Sequence, residues 1–246
     1  MIELSQFPTL SFAFAGAAAV LGGILMGFTG FGSTLVMVPL LTIVYGPAEA
    51  VVVGVSISAA GLAQMVPQAS RDAVWRDVIP TCIGSMALIP AGTALLLLTD
   101  PELTRRLIGA VVLLVAIVML RGWSYSGPRN RWTAALCGAV GGVTNGYFGI
   151  GAPAVTFYFL GPSVSAAVAR ANILLIIGAF SVATVIAIAI GGGIGAETGL
   201  RAVVLFVPYS LSLWIGSRLF RRASDDLYRN IALWLLMAMG VTVLVF

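Results

Sequence analysis

The residues best placed to do chemistry in this chain are glycines. The sequence reads Gly27-Phe28-Thr29-Gly30-Phe31-Gly32-Ser33 near its start and Gly146-Tyr147-Phe148-Gly149-Ile150-Gly151-Ala152-Pro153 past its middle. Each motif interrupts an apolar stretch, residues 10–45 and 132–160, that is too long for one membrane crossing. The apolar piece after each interruption, about residues 33–45 and 152–160, covers roughly 20 Å or less at about 1.5 Å per residue. If its outer end reaches an interface, its N-terminus lies inside the membrane. Backbone N–H groups without intrahelical partners, and the positive end of the helix dipole, then form a site for an anion. Ser33 is expected to cap the first short helix. Pro153 suits the first turn of the second, where its missing N–H costs nothing. Thr29, Gly30, Gly32 and Ser33 from the first motif, and Asn145, Tyr147, Gly149 and Gly151 from the second, are therefore candidate substrate-binding residues. Glycine lets a ligand approach the backbone. The competing reading of the same glycines is tight helix packing, which small residues provide throughout membrane proteins.

Arg170 is the second chemical signal, because it lies well inside the apolar run 164–190. An arginine at such depth costs at least about 2.5 kcal/mol, so something must compensate for it. It can contact an anion, or it can pair with a carboxylate, and Glu49 is the acid on a comparable segment. Asn172, two positions on, joins Asn145, Thr29, Thr144 and Tyr147 as a neutral hydrogen-bonding group that suits an oxyanion.

Absences narrow the chemistry. The chain has no histidine and no lysine, and no carboxylate lies near the middle of a span, so the usual buried proton relay is missing. There is no GxxxxGK[ST] phosphate loop. Cys82 and Cys137 stand apart from each other in apolar surroundings, so neither a metal nor a cofactor is expected. A membrane-embedded enzyme would need a metal cluster or paired acids, and neither is present.

The elements that must position these residues are membrane helices. Charged residues are 9% of the 246 and hydrophobic ones 60%, with a mean hydropathy of +1.07, so a charged surface around a soluble core cannot be built. The bases are arginines spread over short connections, which argues for topology signals and against nucleic acid. Apolar runs near 48–67, 77–98, 103–121, 164–190, 199–217 and 228–245 each match the roughly 20 residues of a span.

The chain is internally duplicated. One constant offset carries Gly22, Gly23, Gly27, Gly30 and Gly32 onto Gly141, Gly142, Gly146, Gly149 and Gly151, and Gly92 resembles Gly216. The junction falls in the polar link 121–131, giving halves 1–125 and 126–246 that form one transmembrane domain. If each glycine-interrupted segment crosses twice, Arg71, Arg76, Arg121, Arg129, Arg131, Arg218, Arg221, Arg222 and Arg229 share a side. Arg105, Arg106 and Arg201 lie opposite. The positive-inside rule prefers this count, which makes the halves inverted repeats of about five segments, each opening with a glycine-broken helical hairpin. Both termini then lie outside the cytoplasm, and Trp75, Trp123 and Trp132 anchor the cytoplasmic interface. The alternative all-α arrangement is eight full spans with two re-entrant segments.

The paired motifs GFTGFGSTLVMVPLL and GGVTNGYFGIGAPAVTFYFLG, each opening a half, resemble the TauE/SafE (TSUP) family of sulfite exporters and sulfonate permeases, and the resemblance covers the whole chain. It implies a secondary transporter, not an enzyme, in the bacterial cytoplasmic membrane, with the lipid bilayer as its surroundings. Its substrate would be a small anion such as sulfite, an organosulfonate or a related carboxylate. A channel-like anion pore would share the topology.

Overall fold

The computed structural model describes residues 8–121, 123, 125–159 and 165–220. Its elements are all helices: α1 (Pro8–Thr29), α2 (Ser33–Tyr45), α3 (Pro47–Leu62), α4 (Val66–Asp72), α5 (Trp75–Leu98), α6 (Pro101–Leu120), α7 (Arg131–Phe148), α8 (Ala152–Phe159), α9 (Ala166–Ile190) and α10 (Ala196–Phe220). Among the described residues no strand occurs, as the all-α expectation requires.

Local chemistry sets several of these boundaries. Gly46, at φ 78°, ends α2, and Pro47 opens α3 where its missing N–H is harmless. Asn130 caps α7 by accepting from the amides of Trp132 and Thr133, and Thr133 closes the reciprocal half of the capping box. Ser165 caps α9 through the amide of Val168.

Of the expected spans, α5, α9 from Ala167 and α10 are long and apolar enough to cross a membrane, as is α1 from Leu10. The run 48–67 falls on α3 and the short α4, which bend by 69° between them. The run 103–121 falls on α6, a 20-residue helix that opens on Glu102, Arg105 and Arg106. The run 228–245, with Arg221, Arg222 and Arg229, lies outside the described residues. The long stretch 10–45 divides between α1 and α2, and 132–160 divides between α7 and α8.

The two most extensive helix packings are α1 on α10, from opposite ends of the described chain, and α5 on α7, from its middle. Hydrophobicity cannot drive such pairs in lipid, so they rest on close packing of small residues. A Cβ on Gly27 would strike the backbone of Leu213, and one on Gly138 would strike the backbone of Thr81. The contacts advance in step, Gly23 beside Tyr209 and Gly27 beside Gly216, then Gly84 beside Ala135 and Gly92 beside Val143. The helices within each pair therefore run parallel. Large apolar side chains such as Ile83, Leu136, Val203 and Leu211 point outward from the bundle, as hydrocarbon contact requires.

Helix propensity favours alanine over glycine by about 1 kcal/mol at any helical position. Packing reverses that sign at Gly138. Gly138→Ala should lower the melting temperature of the detergent-solubilised protein through a net loss of about 1–3 kcal/mol. Gly199→Ala, where an added Cβ meets no atom within 4 Å, should hold or raise it.

Candidate functional site

At the first break the chain turns between α1 and α2 through Gly30, Phe31 and Gly32, with φ of 83° at Gly30 and 90° at Gly32. The left-handed conformation at both points is one that side-chain-bearing residues rarely adopt. The Gly30 amide still reaches back to the Met26 carbonyl at 2.9 Å. Thr29 Oγ1 donates to the Leu25 carbonyl at 2.8 Å and accepts from the Phe31 amide at 3.2 Å, so its side chain replaces helix bonds that the turn breaks.

Ser33 does not cap α2. The capping position belongs to Gly32, and no side chain bonds the cap. The left-handed turn at Gly32 places Ser33 already inside the helix, where its hydroxyl lies 2.8 Å from Ser58 Oγ and accepts from the Tyr209 hydroxyl at 3.1 Å. Ser33, Ser58 and Tyr209 are all buried. Beside them a Cβ built on Gly32 would meet no atom within 4 Å, which leaves a small open space at the buried start of α2.

The second break repeats the backbone pattern in part: Gly149 is left-handed like Gly30, but Gly151 is not left-handed as Gly32 is. Gly149, at φ 68°, donates to the Asn145 carbonyl at 2.8 Å. Asn145 Oδ1 accepts from the Gly151 amide at 3.2 Å while its Nδ2 donates to Thr184 Oγ1 at 2.9 Å. Pro153 sits in the first turn of α8, as its chemistry suggests. Tyr147 turns away from the break, its hydroxyl 3.4 Å from Thr104 Oγ1 on α6, and Thr144 bonds the carbonyls of its own helix.

Arg170 comes to the first break. Its stem packs on Gly30, and Nη2 donates to the Gly27 carbonyl at 2.7 Å. Its guanidinium lies 4.1 Å from the ring centroid of Phe220, a cation–π geometry. Beside it a cavity of about 160 Å³ is lined by Gln64, Gln68 and Asp72, by Leu174, and by Trp214 and Ser217. Asn172 does not join this group: its Oδ1 accepts from the Val74 amide at 2.8 Å and anchors the start of α5.

The two breaks do not form one cluster. Gly149 faces Val38, Val51 and Val55, whereas Gly30 faces Arg170 and Leu174. Val38 is five residues along α2 from Ser33, so the breaks are offset by about 7 Å of helix. Ser58 and Tyr209 carry no motif in the sequence. Only the fold, which sets the middle of α3 and of α10 against the start of α2, brings them in.

Glu49 is not the partner of Arg170. It pairs with Arg201 at 2.7 Å, and Arg201 also bonds Glu197 and lies 4.5 Å from the Tyr45 ring centroid. The parallel course of these helices explains the choice: Glu49 in the first turn of α3 meets Arg201 in the second turn of α10, and further along Gly61 meets Tyr209. A double-mutant cycle between Glu49→Gln and Arg201→Gln should give a coupling of about 0.5–1 kcal/mol in detergent unfolding. The cycle between Glu49→Gln and Arg170→Gln should be additive.

Comparison with known proteins bears on what this arrangement serves. No curated protein and no solved structure matches the chain. A model of the family described as Sulfite exporter TauE/SafE matches residues 15–243, nearly the whole length, and the chain therefore belongs to this family of membrane transporters.

Proposed function

We propose that this protein is a secondary transporter that moves a small sulfur-containing oxyanion, sulfite or an organosulfonate, across the bacterial cytoplasmic membrane. The anion would bind at the first glycine break. The observation that carries this reading is the convergence there of Arg170, the buried N-terminus of α2 and open space beside Gly32. The Gly27 carbonyl holds one guanidinium nitrogen of Arg170 at this break. Charge-assisted bonds from a guanidinium fork suit a planar or pyramidal oxyanion. The first amides of α2 and the hydroxyls of Ser33, Ser58 and Tyr209 would supply neutral donors. Thr29 and Asn145 would act by holding the two breaks in shape, and Gly149 and Gly151 by forming the second break.

The reading includes two inverted halves, 1–125 and 126–246. Contacts between the breaks and their neighbours support a structural repeat. Gly30 touches Arg170 and Leu174, and Gly149 touches Val51 and Val55. The offset that relates the two motifs also relates Val51 to Arg170 and Val55 to Leu174. Gly27 abuts Gly216 as Gly146 abuts Gly92. Alternating access would then come from one half moving against the other around the breaks.

Sulfite flux into liposomes containing purified protein tests the site. Arg170→Lys keeps the charge and loses the fork, and should cut flux about tenfold with the protein still folded. Gly30→Leu should abolish it, since the side chain meets both a left-handed backbone and the Arg170 stem. Wild-type flux in both variants would remove the site from the first break. Saturation and stimulation by anion on the opposite side separate a carrier from a pore.

The topology is tested independently by cysteine labelling in intact cells. Cysteines placed at Arg71 and Gly127 should react from the cytoplasm, and those at Thr99 and Gly195 from outside. Labelling of Gly127 and Gly195 from one face would end the inverted arrangement.

A further inference from the structure

A second cavity, about 320 Å³, lies between α7 and α8 and plays no part in the anion site. Leu136, Cys137 and Val140 of α7 and Ala154, Phe157 and Tyr158 of α8 form its walls, with Trp123 and Tyr125 at one end. The link before α7 is pinned there: the Tyr125 amide donates to the Phe157 carbonyl at 2.9 Å, and the Trp123 and Phe157 rings meet edge to face at 5.6 Å.

The hydroxyl and thiol groups around this cavity have partners. Tyr158 Oη lies 3.0 Å from Thr133 Oγ1, Tyr125 Oη donates to the Pro128 carbonyl at 3.2 Å, and Cys137 Sγ donates to the Ala154 carbonyl at 3.4 Å. The interior thus asks for an apolar occupant. Leu136 and Val140 are exposed, so the cavity opens toward the hydrocarbon. From Thr133 to Val140 it follows α7 for about 10 Å.

The mouth has the opposite character. Arg129 lies 5.9 Å from the Tyr158 ring centroid, and Arg131 is exposed at the first position of α7. Both stand at the positive end of the α7 dipole, where cations are disfavoured. Asn130 already caps the amides there, so the surplus positive charge resides on the guanidinium groups. The link 121–131 contains no acid. An apolar groove with a cationic mouth and an interfacial tryptophan matches a molecule with a fatty tail and an anionic phosphate at headgroup level.

We propose that this groove is a binding site for an anionic phospholipid, with one acyl chain between α7 and α8 and the phosphate held by Arg129 and Arg131. A zwitterionic lipid supplies the same tail but carries its own cation to the cationic mouth. A soluble phosphate supplies only the head.

The test uses the purified, delipidated full chain in detergent, with phosphatidylglycerol or phosphatidylcholine of identical chains added, and glycerol phosphate as the tail-free probe. Lipid retention is read by native mass spectrometry and the unfolding midpoint by a thermal ramp. Phosphatidylglycerol should be retained more tightly than phosphatidylcholine, by about fivefold for each arginine engaged. Arg129→Gln combined with Arg131→Gln should bring the two lipids level, and each single variant should fall between. Val140→Trp, which fills the groove from an exposed position, should displace both lipids while the protein stays monodisperse. Equal retention of the two lipids by the wild-type chain overturns the proposal, as does undiminished phosphatidylglycerol binding in the arginine variants. An unchanged Val140→Trp variant, or a midpoint shift by glycerol phosphate equal to that by the lipid, overturns the groove as the acyl site.

Discussion

The constraint on which this structure depends is that backbone amides and carbonyls inside a bilayer must find partners within the protein. An unbroken helix meets it without help, but a helix that stops mid-membrane does not. Both glycine breaks meet it in the same way. A glycine in left-handed conformation donates back to the preceding helix, Gly30 to Met26 and Gly149 to Asn145. A nearby side-chain oxygen then accepts one of the amides that the turn exposes, Thr29 for Phe31 and Asn145 for Gly151. The breaks are buried as well as bonded, and burial comes from the close pairs α1–α10 and α5–α7. The packing glycines and the break glycines therefore serve one end: small residues let helices approach closely enough to seal off the points where helices stop.

The same constraint governs the charges. Arg170 bonds a carbonyl near the end of α1, where the last carbonyls of a helix lack amide partners, and the negative end of the dipole favours a cation there. Arg201 answers Glu49 and Glu197 and rests on the Tyr45 ring, so α10 is tied to α3 and to the end of α2. The tie on Arg201 consumes its charge with carboxylates. Arg170 bonds the Gly27 carbonyl and lies over the Phe220 ring.

Much of the architecture is legible in the sequence because it rests on composition and period. Apolar runs of about 20 residues locate α5, α9 and α10, and the glycine motifs locate both breaks to within a few residues. Family membership is legible too: the paired motifs resemble the family, and its model matches residues 15–243. What is not legible depends on which helix faces which. The sequence suggests Ser33 as a cap by residue type, yet its hydroxyl serves Ser58 and Tyr209 because α3 and α10 arrive beside it. Asn172 looks like a ligand through its proximity to Arg170, but a helix side chain two positions away points elsewhere, here to Val74. Glu49 chooses Arg201 across a distance of chain that no local pattern encodes.

The duplication also makes the two breaks comparable, and the comparison shows where charge and polarity have been concentrated. Positions related by the repeat offset are Arg170 and Val51, Ser33 and Ala152, Ser58 and Ile177. Tyr209 falls opposite Ser85 through the offset that also relates Gly216 to Gly92. Each group that gives the first break its hydrogen-bonding surface is thus smaller or apolar at the second, apart from the serine, and Gly149 accordingly faces valines. The left-handed turn at Gly30 and Gly149 is shared, while the side-chain chemistry is not. Packing alone would ask the same of both breaks, because both must be sealed from lipid in the same way. A half-buried arginine and three buried hydroxyls cost free energy to desolvate, and Gly149 at the second break is surrounded instead by Val38, Val51 and Val55. Under the proposed function, their placement at one break only is what a single anion site would ask of two related halves.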